Sequence, residues 1–367
     1  MVSGMNRNRL VLTAAFAAAA IGAGGLAALA IPAGAGEQPS LPPVSAQELV
    51  SSALSAQPPA MSGTVTVDNA LGLPALPPLP QLGAGESTIR VWSDGGRRSR
   101  VALPTDQGER TLINDGETLW AWDSTNRTAT RLAVPTAAAG GSHGAIDPAT
   151  LARALIGAVQ AHSTVGVDGT AQVAGRPAYE LVLAPAPTER TLLREIKVAV
   201  DAQTRMPLRL AVLAHGSSQP VLSVGFSELT VGPQDGALFQ FTPPAGARVT
   251  EGDTPDAAAP PSWLRDAEIV GDGWDIVVVT ELSGLLDGKP GAQPGTGQPR
   301  RDGPFGKPGP QSFDPQAMLE RMGTKVSGPW GSGTLITTAV ASAIVTTDGT
   351  VAIGAVPQQV LTEALSR

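Results

Sequence analysis

Catalysis needs groups that carry protons, bind metals or attack electrophiles, and this chain offers few. It has no cysteine and three histidines, His143, His162 and His215. The missing thiols exclude thiolate nucleophiles, disulfide frameworks, zinc ribbons and iron–sulfur ligation. They also exclude a lipid-modified bacterial lipoprotein, because that modification needs a cysteine. Three imidazoles are too few for a His-rich metal site. His143 lies in Gly141-Ser142-His143-Gly144, where a general base would need a partner carboxylate that the surrounding residues do not supply. His162 ends a predicted helix and His215 sits in a turn after a strand. Ser142 has the Gly-x-Ser-x-Gly spacing, in Gly140-Gly141-Ser142-His143-Gly144, but within a Gly/Ala/Ser loop over 136–146 rather than on a sharp strand-to-helix turn, and no phosphate-binding loop is present. Asp115, Glu117 and Asp272 fall in turns, where acidic side chains stabilise the backbone locally, and no EF-hand spacing surrounds them. Asn126-Arg127-Thr128 matches a glycosylation acceptor, a three-residue pattern of low specificity. The expectation is a protein that is not an enzyme, with no catalytic residues, no metal and no cofactor.

What the sequence has in quantity is apolar surface on strands. Side chains alternate between the two faces of a strand, so residues two apart share a face. Leu181 pairs in this way with Leu183, Val198 with Val200, Leu210 with Val212, Val224 with Phe226, and Trp120 with Trp122. These ten residues are the candidate wall of a hydrophobic cavity. The alternative is a face filled by side chains, since apolar stripes are usually core. Only two clearly amphipathic helices, over 46–55 and 148–161, are available to cover such a face.

The elements that position these residues are legible from patterning. The 367 residues carry a net charge of −7 and are 42% apolar, with 43 Gly, 33 Pro and 4% aromatics. That size suits two domains, and the Gly/Pro content suits a turn-rich β protein with linkers. The acidic balance argues against nucleic acid as a partner. Arg7 and Arg9 precede an uncharged apolar run from Leu10 to Ile31, and Ala33-Gly34-Ala35 forms a small-x-small cleavage site. Residues 1–35 therefore read as a signal peptide cleaved after Ala35, or as an uncleaved N-terminal anchor. Either way the remainder is exported across the cytoplasmic membrane, to the cell envelope or beyond.

Ser45-Ala46-Gln47-Glu48 reads as a capping box opening the first helix. Strands are predicted at Ser62–Val67, Ser87–Trp92, Arg98–Leu103, Arg110–Asn114, Thr118–Asp123 and Thr128–Val134. More follow at Val165–Val173, Ala178–Leu183, Glu195–Asp201, Leu208–Leu213 and Val221–Leu229. Turn signals such as Asp94-Gly95-Gly96 and Asp115-Gly116 separate them. The uncharged Pro/Leu segment 71–85 cannot be a central strand. A first domain spans 36–250 and a linker 251–261. A small α+β domain covers 262–367, holding a low-complexity Gly/Pro stretch over 284–311. In the second domain strands are predicted at Trp274–Thr280 and near 332–338, 340–346 and 350–354. Helices follow Asp314-Pro315 and Pro357.

Read in order, the first domain resembles the LolA fold, shared by periplasmic lipoprotein carriers and the regulator RseB. Three pieces carry the likeness. The first is the Ser62-Gly63-Thr64-Val65-Thr66-Val67 strand after a short capped helix. The second is the hairpin in which Ile196–Asp201 ends in Asp and the next strand opens with Pro207-Leu208. The third is the terminal segment Phe239–Val249, FQFTPPAGARV. The match covers roughly 45–249, and the two-part plan suits RseB better than a carrier. The resemblance implies a strongly curved antiparallel sheet, an incomplete barrel covered by helices, whose cavity holds acyl chains. It also implies a cavity arginine, for which Arg90, Arg98 and Arg100 lie nearest. The expected fold class is α+β. The expected function is an exported, non-enzymatic carrier of lipids or lipoproteins with acyl chains as ligand. The alternative is an RseB-like regulator whose partner is an anti-sigma factor or another envelope protein.

Overall fold

The computed structural model describes residues 39–71, 85–105, 107–133, 161–252, 267–281 and 323–367. The segment read as a signal peptide or anchor, most of the Pro/Leu segment, the helix expected over 148–161 up to residue 160, His143, the 284–311 stretch and the helix expected after Pro315 lie outside the described residues. The chain forms two compact units. The first runs to Asp256, and the second comprises Ala257–Arg367 together with Arg190–Leu192.

The first unit opens with α1, Ala46–Ser55, and Ser45 caps it by accepting the Glu48 N–H at 3.1 Å. The strands are β1 Ala60–Asn69, β2 Gly85–Asp94, β3 Ser99–Thr105, β4 Gly108–Asn114, β5 Thr118–Asp123 and β6 Thr128–Ala133. They continue as β7 Ser163–Val173, β8 Arg176–Pro185, β9 Leu193–Asp201, β10 Pro207–Ala214, β11 Leu222–Val231 and β12 Arg248–Gly252. A short 3-10 helix, Gly236–Phe239, precedes β12. Every strand expected between Ser62 and Leu229 is present. The turns form as their residues dictate: Gly95 and Gly116 adopt φ of +78° and +102°. Asp94 accepts from the Gly96 and Arg98 N–H groups, and Asp115 from those of Glu117 and Thr118.

All twelve strands join one sheet in the order β12-β6-β5-β4-β3-β2-β1-β11-β10-β9-β8-β7. Neighbours are antiparallel except β12, which runs parallel to β6. The long connection after β11 produces that exception, because it returns the chain to the far edge. β12 also extends the sheet through Gly252, into the stretch read as a linker. Its two ends, β12 and β7, do not pair, so the barrel is incomplete. The sheet nevertheless curls, since β7 comes close to β11, four places along. Met61, Val65, Val67, Val91, Val224 and Phe226 anchor its main core.

The second unit has its own six-stranded sheet. Its strands are β13 Glu268–Val270, β14 Val277–Glu281, β15 Thr324–Gly328, β16 Gly331–Thr337, β17 Ser342–Thr346 and β18 Thr350–Gly354. Their order is β13-β14-β18-β17-β16-β15, antiparallel throughout. The closing helix α2, Gln358–Leu365, buries Val360, Leu361 and Ala364 against Val277, Ile344 and Ala352. Within this unit, the Ala355 carbonyl accepts from the Thr191 hydroxyl and the Leu192 N–H at 2.7 and 2.8 Å.

Candidate functional site

Register decides which of the ten candidate residues share a wall. Leu181 opposes Val198, Val198 opposes Leu210, Leu210 opposes Val224, and Val224 opposes Val67. Leu183, Val200, Val212 and Phe226 lie two residues along on the same strands and therefore on the same face. Eight of the ten thus form one continuous apolar face across β8–β11. Val200, Leu183, Val212, Val224 and Phe226 are buried, whereas Leu181, Val198 and Leu210 stay half-buried.

Helix α1 lies over the β7–β9 end of this face. Its Leu49 is fully buried with Tyr179 and Val200, and Ala53, Val167, Leu181 and Val198 pack around them. The lead segment is tied down beside it: the Thr170 hydroxyl donates to the Pro39 carbonyl at 2.8 Å and the Tyr179 hydroxyl to that of Pro42 at 2.9 Å. Burying two polar groups with their hydrogen bonds made removes the cost of drying that end.

Trp120 and Trp122 stand on the opposite face. Trp122 opposes Thr111 and Ala129, and Trp120 opposes Ile113 and Arg131, while Leu119 and Ala121 point to the side of Leu181. Both indoles pack on Phe241, with ring centroids 5.5 and 5.9 Å away. The chain after β11 covers them: the Leu238 carbonyl lies 3.5 Å from Nη1 of Arg100, and Phe239 is buried beneath Arg98. These tryptophans therefore belong to a second core, apart from the eight aliphatic and aromatic residues. Alternation within β5 pairs them with each other but cannot say which side of the sheet they join.

The three arginines nearest the implied cavity position are also off that face. Arg90 and Arg100 flank the Trp92 ring at 5.8 and 5.9 Å, and Arg98 is held by Asp94 at 2.7 Å. Arg110 and Arg248 instead stand on the continuation of the apolar face. Across the β3–β6 half, one row of that face reads Leu103, Arg110, Asp123, Thr128, Arg248, and the next reads Val101, Leu112, Ala121, Thr130, Thr250. All of the first row, and Leu112, Ala121 and Thr130 of the second, line an open hollow of about 710 Å³. Arg110 was visible as the alternation partner of Leu112. Arg248 could not be placed from sequence, because β12 reaches the hollow only through its parallel return to β6.

The Asp201 hairpin is a structural device. The carboxylate is fully buried and accepts from Arg176 Nε at 2.6 Å and Nη2 at 3.0 Å. It also accepts from the Gln203 and Thr204 N–H groups and the Thr204 hydroxyl. Burial pushes its pKa up, but the Arg176 and Thr204 hydrogen bonds outweigh that and hold it below the ordinary carboxylate value. The strand-ending Asp thus fixes the turn that lets β9 and β10 pair.

His162 immediately precedes β7, with Nδ1 2.7 Å from Glu189 Oε1; the helix expected to end there lies outside the described residues. His215 lies in the turn after β10. Among the described residues no group of His, Asp and Glu could hold a metal ion, and no helix is long and apolar enough to cross a membrane.

The open, mostly antiparallel sheet with a helix on its apolar face has the architecture expected from the resemblance to the LolA fold, and a second small sheet accompanies it. No protein family and no curated protein matches the chain. Among solved structures it is similar to the Pseudomonas aeruginosa MucA/MucB complex, at 16% identity over 88% of this chain and 96% of that one, with a TM-score of 0.41. An uncharacterized conserved protein from Thermus thermophilus matches at 13% over 56% and 97%, with a TM-score of 0.32. A LolA superfamily protein from Nitrosomonas europaea matches at 14% over 54% and 99%, with a TM-score of 0.24. At these identities and scores nothing about ligand or partner transfers to this chain.

Proposed function

We propose that the first unit is an exported, non-enzymatic binding module that holds acyl chains of lipids or lipoproteins against the Leu181–Phe226 face. One observation carries this reading. Eight residues of one face form a continuous apolar wall that α1 covers at one end and that runs on, through Val67, Val91 and Val101, to an open hollow at the other. Each acyl methylene buried there contributes about 0.8 kcal/mol, so a few methylenes suffice for measurable binding. The test is native mass spectrometry of residues 36–367 purified from the source organism, with organic extraction of anything bound. Co-purifying acyl species are expected. Val198→Asp should abolish their retention, because a carboxylate in the half-buried wall would be desolvated by the chain. A protein that is empty and also ignores added lipids would mean a filled face and no acyl ligand.

A second reading has its own support, an apolar row on the second unit. Val278, Ile353, Ala343 and Ile336 oppose one another on the face away from α2, and Ile353 is 39% exposed. Such a row suits a protein partner, as in an RseB-like regulator holding an anti-sigma factor's extracytoplasmic segment. A photo-crosslinking residue at position 353 should then capture one defined envelope protein in cells. Crosslinks spread over abundant proteins would remove this reading.

A further inference from the structure

The hollow at the β3–β6 end combines two features that rarely coincide by accident. Its floor is partly apolar: Leu112 is 42% exposed beside Ala121, with Leu103 at the margin and Thr128 and Thr130 completing the lining. Its outer row carries two guanidiniums and one carboxylate, Arg110, Arg248 and Asp123. Asp123 is already committed to its own turn, accepting from the Asn126 backbone N–H and side-chain amide at 3.0 Å each. Its contact with Arg110 is 3.4 Å to Nε, longer than the 2.6 Å Arg176–Asp201 contact. Arg248 makes no side-chain hydrogen bond or ion pair among the described residues. The hollow is therefore net positive in a chain whose overall charge is −7.

An exposed leucine floor beside underused arginines fits an amphiphile with an anionic head. A guanidinium offers forked donors matched to phosphate oxygens, and apolar walls raise the strength of such a contact above its value in open water. The register sets the direction of the chain. Leu112 opposes Val101 and Val101 opposes Val91, where the face passes into the buried core at Val65 and Phe226. The volume of about 710 Å³ lies within the range of small-molecule sites.

We propose that this hollow is the headgroup site of an anionic phospholipid, with Arg110 and Arg248 on the phosphate and the acyl chain laid over Leu112 toward the central wall. The proposal rests on the acyl-binding reading and adds to it a charge preference and a direction of entry.

The test compares two single-chain probes of equal length, lysophosphatidylglycerol and lysophosphatidylcholine, below their micellar concentrations. Binding to residues 36–367 is read by titration calorimetry. The anionic probe should bind about tenfold or more tightly, and the preference should shrink as salt rises. Arg248→Gln removes an exposed side chain with no partner among the described residues, so the fold should persist. It should weaken the anionic probe most and bring it close to the affinity of the zwitterionic one, whose phosphate is the same but whose choline cation opposes the guanidiniums. Arg110→Gln with Arg248→Gln should erase the preference. Equal affinities in the unaltered protein, or a preference that survives both substitutions, would overturn the headgroup site while leaving acyl binding intact. Glycerol 3-phosphate binding as tightly as the anionic probe would overturn it too, by making the site one for a free phosphate. Failure of both lipids to bind would remove the acyl reading and this proposal together.

Discussion

Asp201 shows how much one side chain contributes to this sheet. It is buried at the end of β9, paired with Arg176 and wrapped by the Gln203 and Thr204 amides. Replacing it by Asn keeps the shape and removes the charge that Arg176 and the turn amides were arranged around. The loss should be about 1–3 kcal/mol at pH 7, the usual range for a charge-assisted buried network. The pH dependence follows from the depressed pKa of the folded carboxyl. The unfolded value is about 3.9, so the stabilisation is complete above that value and fades as pH falls through the lower folded value. Urea unfolding should therefore separate the two proteins clearly at pH 7 and progressively less below about pH 4. A constant difference across that range would mean that the charge is not what Asp201 contributes. The strand-ending Asp could be read from the sequence as a hairpin mark. Its partner could not, because Arg176 lies 25 residues earlier and meets it only once β8 and β9 pair.

At the scale of elements, alternation and turn residues were enough to place the long strands, since each carries its own period and its own stops. Three strands escaped that reading: β12 (RVTEG) and β15 (TKVSG) are short and mostly polar, β13 (EIV) is only three residues long, and they exist because a neighbour supplies the hydrogen bonds. For the same reason the eight candidate residues on β8–β11 fall on one face, as alternation expects. The two tryptophans were misassigned because the side of the sheet a strand presents to a given core is a long-range property. Gly63 in β1 makes the long-range constraint concrete. A Cβ there would sit 2.6 Å from the Glu228 carbonyl oxygen and 2.8 Å from Cδ1 of Phe226, beside the bulge at Thr64/Val65. The glycine inside an otherwise β-branched strand is thus the space that Phe226 occupies in the wall. Gly63→Ala should cost about 1–3 kcal/mol by overpacking and shift Phe226. Thermal unfolding and the chemical shifts of the Phe226 ring would report it. A substitution that stabilised the strand, as propensity alone predicts, would show that the β1–β11 contact yields easily.

For the molecule as a whole, the two readings of function fall on different units, so a substitution confined to one core can tell them apart. Each core cluster draws its residues from a single unit: Met61, Val65, Val224 and Phe226 in the first, Val277, Ile344, Ala352 and Leu361 in the second. Leu361 is fully buried on α2, where truncation to Ala removes its packing and leaves a cavity at a cost of about 2–5 kcal/mol. Hydrogen exchange should accelerate at Val277, Ile344 and Ala352 and hold steady at Val65, Val224 and Ala199. Under the acyl-binding reading the loosened protein keeps its lipid affinity, because none of the eight wall residues lies in the second unit. Under the regulator reading the same protein loses its partner, because the Ile353 row is carried by the sheet that α2 supports. Lipid affinity that fell together with second-unit protection would count against both assignments, since neither reading gives the second sheet a part in holding the chain.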